Sequence, residues 1–280
     1  MQSTISTDYL NKLGFEDDFS PTLAHLKTLL SLHVQTIPFG NFSSFLGREV
    51  SLASDQLAQK LLRNAQGGYC LEHSTLTRLA LNELGYDAYN VLGRVYYQGT
   101  PVITPVMSHL VTLVRIDQQL FLYDPGFGGM TPTNILSMNR IGEAQTTPLE
   151  SFRFVEVAQS GEVFTGMKYM LQVCIHNEWI NVYAIDPEQQ VAHADAQVAN
   201  WFISTSPESL FTQHLMLSTA TTEMRITLKD RVLRTHGKGG SNKKEFTNFD
   251  EFERTIKTGF QMNICDEQLQ AAWEKLAWTQ

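Results

Sequence analysis

Apolar residues recur at helical spacing through the first third of the chain. In SPTLAHLKTLLSLHV, Leu23, Leu26, Leu30 and the His33/Val34 pair share one face, with Ser20 placed to cap the helix, Pro21 at its first position and Pro38 beyond its end. A second helix is expected from near Ser54, carrying Leu57, Leu61 and Leu62. A third is expected from close to Cys70 through Leu76, Leu79, Ala80 and Leu84, with Gly85 as its stop. Three helices with apolar faces predict a small bundle. From about Ala88 the pattern shortens to apolar runs between turn residues: YNVLGRVYY, HLVTLVRI, LFLYDPGF, YMLQVCI and WINVYAI. That texture predicts strands. After about residue 196, strand-like MRITLKDRVLRTH mixes with helical NFDEFERTIKT and DEQLQAAWEKLAW, an α+β tail. The expected regions are 1–87, 88–195 and 196–280, packed as one compact unit with no repeat or long linker between them.

Composition narrows the possible functions. A chain of 280 residues with 42% hydrophobic and 18% charged residues can bury a substantial core and lacks the signature of disorder. The formal charge of −8, without a dense basic run, argues against a nucleic-acid partner. The start MQSTISTDYLNKLGF lacks a basic region followed by an apolar stretch, and no run of about 18 apolar residues occurs. The expectation is a cytoplasmic protein with no membrane partner. Three cysteines are too few for a disulfide framework, and Cys70 with His73 gives a single pair of short-spaced ligands, so no metal is assigned. Cys174 and Cys265 are assigned no chemistry.

Candidate chemistry centres on QGGYCLEHS, residues 66–74. A thiol at a helix N-terminus or beside an imidazolium can have its pKa lowered to roughly 3.5–7.5, which makes it a nucleophile. The free N–H groups of that turn can stabilise an oxyanion, and Gly67 and Gly68 let a ligand approach the backbone. Taken alone, the stretch fits equally a small buried hydrophobe behind a glycine turn. A base is offered by SHLVTLVRIDQQLFLYDPGFGG. If the chain reverses near Asp117 and Gln118, antiparallel strands place His109 and Asp124 within a residue or two of register. His109 is then a general base oriented by Asp124, as in Cys-His-Asp sites. Each residue by itself also has a plain structural role, Asp124 as a turn former before PGFGG among them.

In this order and spacing the sequence resembles the arylamine N-acetyltransferases. The stretches that carry the resemblance are PTLAHLKTLLSLHVQTIPFGNFSSFLG, GGYCLEHSTL, the His of MSHLVTLV, YDPGFGGMTPTNIL, TTPLESFRF and NWFISTSPESLF. The resemblance implies an α+β fold: an N-terminal helical bundle, a central β-barrel and a C-terminal α/β lid, with a papain-like triad where bundle and barrel meet. It also implies ping-pong acyl transfer, with Cys70 as nucleophile, His109 moving the proton and Asp124 orienting it. The donor it implies is acetyl-CoA or another acyl thioester, with no tightly bound cofactor. The acceptor is an arylamine, hydrazine or N-hydroxyarylamine. Thr205 and Ser206 match positions near the coenzyme A site, and a capped turn before Pro207 is the plain alternative for them. Departures from the family pattern are Gln66 for Arg, Ser74 for Asn, Gly40 for Glu, and Pro125 for a branched or small residue after the triad Asp. These would suit a biosynthetic amide synthase that uses a non-acetyl, even carrier-protein-bound, thioester.

Lesser candidates are Phe39, Phe42, Phe45 and Phe127 as walls of an aromatic acceptor pocket, with core packing as their alternative. Lys238, Lys243 and Lys244 in HGKGGSNKKE read as coenzyme A phosphate contacts or as a solvated hairpin tip. Two rival functions are carried forward. One is a papain-like or transglutaminase-like amide hydrolase, since the same three residues serve cleavage. The other is a binding protein that keeps the fold without catalysis.

Overall fold

The computed structural model describes residues 4–97, 104–161 and 166–277. Its first third holds α1 (Ile5–Leu13), α2 (Leu23–Thr36), the two-residue strand β1 (Phe39–Gly40), α3 (Phe42–Phe45), α4 (Ser54–Leu57) and α5 (Cys70–Glu83). The chain continues from α4 as a π-helical turn over Ala58–Arg63. Strands β2 (Asp87–Val95), β3 (Met107–Ile116), β4 (Gln119–Tyr123), β5 (Leu136–Ser137), β6 (Gln145–Thr146), β7 (Ser151–Glu156), β8 (Tyr169–Ile175) and β9 (Glu178–Gln190) follow. The remainder comprises α6 (His193–Thr205), α7 (Leu210–Gln213), β10 (Met216–Ala220), β11 (Met224–Lys229), β12 (Val232–Gly237), β13 (Gly240–Glu245), α8 (Phe249–Arg254) and α9 (Asp266–Ala277).

Helix α2 begins at Leu23, with Thr22 rather than Ser20 as its cap. The Thr22 hydroxyl accepts the His25 N–H, while the backbone of Ser20 is engaged by the His25 ring. Leu26, Leu29 and Leu30 are fully buried, each stabilising the fold by roughly 2 kcal/mol. They meet Tyr9 and Leu13 of α1, Leu76 and Leu81 of α5, and the outward face of β3 and β4 through Val114, Phe121 and Tyr123. Helices α1, α3, α6 and α7 fell outside the sequence expectation: α3 and α7 are single turns, α1 buries only Tyr9 and Leu13, and α6 leaves Val198 and Trp201 exposed.

Eight antiparallel strands run in the order β5-β4-β3-β2-β9-β8-β7-β6. The edge strands β5 and β6 are joined by a side chain. Gln145 Oε1 accepts the Ser137 N–H at 2.8 Å, and its Nε2 donates to the Ser137 carbonyl at 2.9 Å, an amide standing in for a strand's own backbone pair. The sheet is thereby drawn into a nearly closed barrel around Val111, Leu113, Leu122, Phe152, Phe154, Leu171 and Val173.

A second sheet runs β1-β10-β11-β12-β13, so its first strand comes from the helical region and its remainder from the C-terminal third. Phe39 pairs with Ser218 and Gly40 with Leu217. The other edge of β1 meets the glycine turn ahead of α5: Gly40 N donates to Gly68 O at 2.7 Å and Gly68 N to Pro38 O at 3.3 Å. Gly67 takes φ +68°, and a Cβ there would stand 2.7 Å from the Pro38 carbonyl, so only glycine fits this crossing. From the same sheet Ser218 Oγ donates to Gly128 O, and the buried Arg225 guanidinium bonds Thr131 O and the Glu150 carboxylate. The loop after β4 is therefore gripped from the second sheet.

Candidate active site

Cys70 is the first residue of α5. The helix ladder opens with the N–H groups of Glu72 and His73 donating to Tyr69 O, so the amides of Cys70 and Leu71 lie ahead of the first bond. Glu72 folds back to accept the Tyr69 N–H at 3.1 Å and pairs with Lys60 Nζ at 2.6 Å, fixing the turn. The Tyr69 hydroxyl bonds Asn200 of α6, whose Nδ2 donates to Val50 O. Cys70 itself is 3% exposed, packed among Phe39, Leu71, Leu92 and Leu110, with its Sγ 3.6 Å from the Ser108 carbonyl.

His109 and Asp124 meet because of strand alternation. The β3–β4 hairpin turns at Asp117 and Gln118, both at positive φ, and pairs Thr112 with Tyr123. His109 shares the face of Val111 and Leu113, and Asp124 that of Leu122, so both point into the barrel end while Tyr123 points toward the helices. His109 Nε2 lies 2.9 Å from Asp124 Oδ2. That leaves Nδ1 clear of the carboxylate, and Cys70 lies near enough to contribute to the electrostatics of the ring. Burial alone would push the imidazolium down, but the charge and hydrogen bond of Asp124, with the contributions of Cys70, outweigh it and raise the His109 pKa to about 10.

Asp124 is fully buried and saturated. Its Oδ2 also accepts the Tyr183 hydroxyl at 2.8 Å, and its Oδ1 accepts the Gly126 N–H at 3.2 Å. Burial and the adjacent carboxylate hold the Tyr183 hydroxyl well above its ordinary pKa, so it stays a donor. Nothing in the alternating pattern of WINVYAI distinguished Tyr183 from a core residue. Its role follows only from the β2–β9 pairing, which sets it opposite Val95.

Of the other candidates, Phe127 lies edge-on to His109 with ring centroids 5.0 Å apart, and also packs on Tyr183. Phe39 contacts Gly128 and Phe211. Phe42 and Phe45 sit instead in an apolar cluster with Leu217, Phe252 and Ile256. Thr205 and Ser206 stand at the end of α6 and their bonds are local: Thr205 Oγ1 donates to Trp201 O, and Ser206 Oγ accepts the Glu208 N–H. Lys238 lies in the β12–β13 hairpin turn and Lys243 and Lys244 lie within β13, with Lys238 facing Glu223 and Lys244 facing Glu251. Among the described residues no cluster of His, Cys, Asp and Glu has the makings of a metal site, and no helix is long and apolar enough to cross a membrane.

Helices pack against the nearly closed barrel, and Cys70, His109 and Asp124 lie together at their seam. The N-acetyltransferase family profile matches residues 22–269. The arylamine N-acetyltransferase of Mycobacterium tuberculosis (strain ATCC 25618 / H37Rv) is 31% identical over 264 residues, covering 93% of this chain and 90% of that one. The solved Mycobacterium marinum arylamine N-acetyltransferase superposes with a TM-score of 0.89 at 33% identity, over 97% of this chain and 99% of its own. Another structure of the M. marinum protein, in complex with CoA, gives a TM-score of 0.88 at 33% identity, over 96% and 98% of the two chains. The chain belongs to the arylamine N-acetyltransferase family of transferases.

Proposed function

We propose that the protein moves an acetyl or other acyl group from a thioester, acetyl-CoA or a similar donor, through an acyl-Cys70 intermediate to an arylamine, hydrazine or N-hydroxyarylamine. The observation that carries this reading is the His109 ring, hydrogen-bonded to a buried carboxylate and set beside Cys70. The Cys70 thiolate attacks the thioester carbonyl, forming the new carbon–sulfur bond. The oxyanion meets the unladdered N–H groups of Cys70 and Leu71. Collapse breaks the bond to the donor sulfur, which leaves with the proton carried by His109. Having given its proton to the departing thiolate, the neutral imidazole can take one from the incoming amine. The amine then attacks the acyl carbon and Cys70 departs as thiolate.

A donor related to coenzyme A is supported by the relative solved with CoA. Thr205 and Ser206 would lie along its path, while Phe127 beside His109 and Phe39 beside Gly128 would border the acceptor. No tightly bound cofactor is needed. The test is intact mass after incubation with acetyl-CoA: one acetyl group on the wild type, none on Cys70→Ala, and loss of the adduct with formation of N-acetylated product when an arylamine is added. Absence of the adduct while iodoacetamide still alkylates Cys70 refutes acetyl-CoA as donor, and the same result across a panel of acyl thioesters refutes acyl transfer. Release of free acid at full rate without amine would mark a hydrolase instead.

A further inference from the structure

Four polar side chains that the transfer chemistry does not use form one buried hydrogen-bonded chain. Tyr9, His33, His73 and Tyr123 are all 0% exposed. His73 Nε2 lies 3.0 Å from the Gly68 carbonyl, His73 Nδ1 is 2.7 Å from His33 Nε2, His33 Nδ1 is 2.8 Å from the Tyr9 oxygen, and the Tyr9 oxygen is 2.7 Å from that of Tyr123. One fixed end sets every proton in the chain. A carbonyl can only accept, so His73 Nε2 donates and its Nδ1 must accept from His33 Nε2. His33 Nδ1 then accepts the Tyr9 hydroxyl, and Tyr9 accepts the Tyr123 hydroxyl. A further proton on either imidazole would reverse the hydroxyls beyond it and leave the Tyr123 O–H without its Tyr9 acceptor. Burial, with the neighbouring imidazole as a second cause, keeps His33 well below its ordinary pKa. Burial likewise lowers His73 to about 4, against the pull of the Gly68 and Pro38 carbonyls.

The two ends of the chain lie beside the two halves of the triad. Gly68 is two residues ahead of Cys70, and its carbonyl also takes the Gly40 N–H, so both its lone pairs are held. Tyr123 immediately precedes Asp124. Between them, the His73 Cβ supports the loop after Asp124, since a Cβ on Gly126 would come within 2.9 Å of it. An apolar filling of the same volume would serve stability as well, because buried polar groups gain little net free energy from pairing. What directional bonds add is a fixed orientation.

We propose that His73 and His33 are positioning residues, neutral imidazoles in one tautomer each, that hold the Cys70 turn and the Asp124 strand at the spacing the triad requires. The inference deepens the acyl-transfer reading, so its test reads the thiol directly. Iodoacetamide alkylation of Cys70 is followed across the pH range of thiol ionisation, per mole of folded protein, in wild type, His73→Phe, His73→Gln and Tyr9→Phe, with Cys70→Ala as the blank. His73→Phe keeps the ring and loses both bonds. Its alkylation rate at neutral pH is expected to fall about 10- to 100-fold, and its pH profile to be displaced from that of wild type. His73→Gln, whose amide can donate to Gly68, recovers part of the rate. Tyr9→Phe, which deletes one hydroxyl, shifts the profile the same way with a loss of about threefold, the scale of one hydrogen bond. A wild-type rate and profile in folded His73→Phe overturns the proposal. If that variant fails to fold, an unchanged profile in Tyr9→Phe overturns it equally. Wild type that alkylates normally but never acylates would count against acyl transfer and leave the positioning role standing.

Discussion

Gly126→Ala tests the link between packing and chemistry at one atom. The loop after β4 crosses α5 so closely that a Cβ on Gly126 would sit 2.9 Å from His73 Cβ and 3.1 Å from Cys70 Cα. The first distance is about 0.6 Å short of an ordinary carbon–carbon contact of about 3.5 Å. Both obstructions belong to one rigid helix, so relief comes from the loop moving off α5. Asp124 and Tyr183 move with it or lose their bonds, and a 2.9 Å His109–Asp124 contact stretched by about half an ångström is a weak one. Overpacking of this kind costs about 1–3 kcal/mol, and a misplacement of about 1 Å in a reacting group costs about 100-fold in rate. For half that displacement, kcat/KM for acyl transfer should fall about 10-fold, with a drop in Tm of about 3–10 °C. The assay pairs steady-state rates with thermal melting. Gly142→Ala is the control, since Gly142 sits at φ +79° and a Cβ placed there would meet nothing within 4 Å. It should lose stability by about 1 kcal/mol and keep its rate. Wild-type activity in Gly126→Ala, or an equal loss in the control, would show that the loop's contact with α5 does not govern the triad.

Tyr183→Phe removes one of the donors to the buried Asp124 carboxylate and should cost about 1.5–3 kcal/mol in urea unfolding while still permitting acylation of Cys70. Lys60→Met strands the buried Glu72 carboxylate; because Lys60 keeps 23% exposure, the loss should fall between the ~1 kcal/mol of a surface pair and the roughly 3–5 kcal/mol of a buried one, read from the denaturation midpoint. His109 also predicts a pH limb. Its folded pKa of about 10 lies above the ordinary 6.5, so its stabilisation is complete below 6.5 and is lost as pH rises through about 10. The urea midpoint of wild type should decline over that window, and that of His109→Gln should not share the decline.

The elements nearest the site were legible because local chemistry writes them. Glycine and apolar spacing mark the ends of α5, and Asp117–Gln118 between two apolar runs marks the β3–β4 reversal that faces His109 toward Asp124. What stayed hidden depends on pairings between distant segments. Strand β1 is two residues long, too short for any period, and acquires its meaning only from β10 and the Gly68 turn. Tyr183, Gln145 and the His33–His73 contact join segments with no signal of their own. His33 read simply as part of an amphipathic face, and only the packing of α2 on α5 turns it into a hydrogen-bond partner.

The four departures from the family pattern can be weighed by what now occupies each place. Gly40 leaves a space filled by Met262, whose Cε would lie 2.8 Å from a Cβ on Gly40 and equally close to one on Gly67. The C-terminal segment therefore makes an apolar contact at this crossing, and Asn263 N anchors that segment to Ala65 O. Ser74 is as firmly tied as a longer amide could be, because its Oγ donates at 2.6 Å to the carbonyl of Leu110, next to His109, while its own carbonyl takes bonds from Asn90 and Thr112. Pro125 has no N–H to offer, and the carboxylate of Asp124 takes the Gly126 N–H two residues on, as an Asx turn does. Around these positions the bundle, the barrel and the second sheet meet at one seam. Met262 over the glycine turn and Pro125 behind the carboxylate adjoin the thiol and its partners. Selection among donors and acceptors thus has room to diverge here without altering the three groups that would perform the transfer.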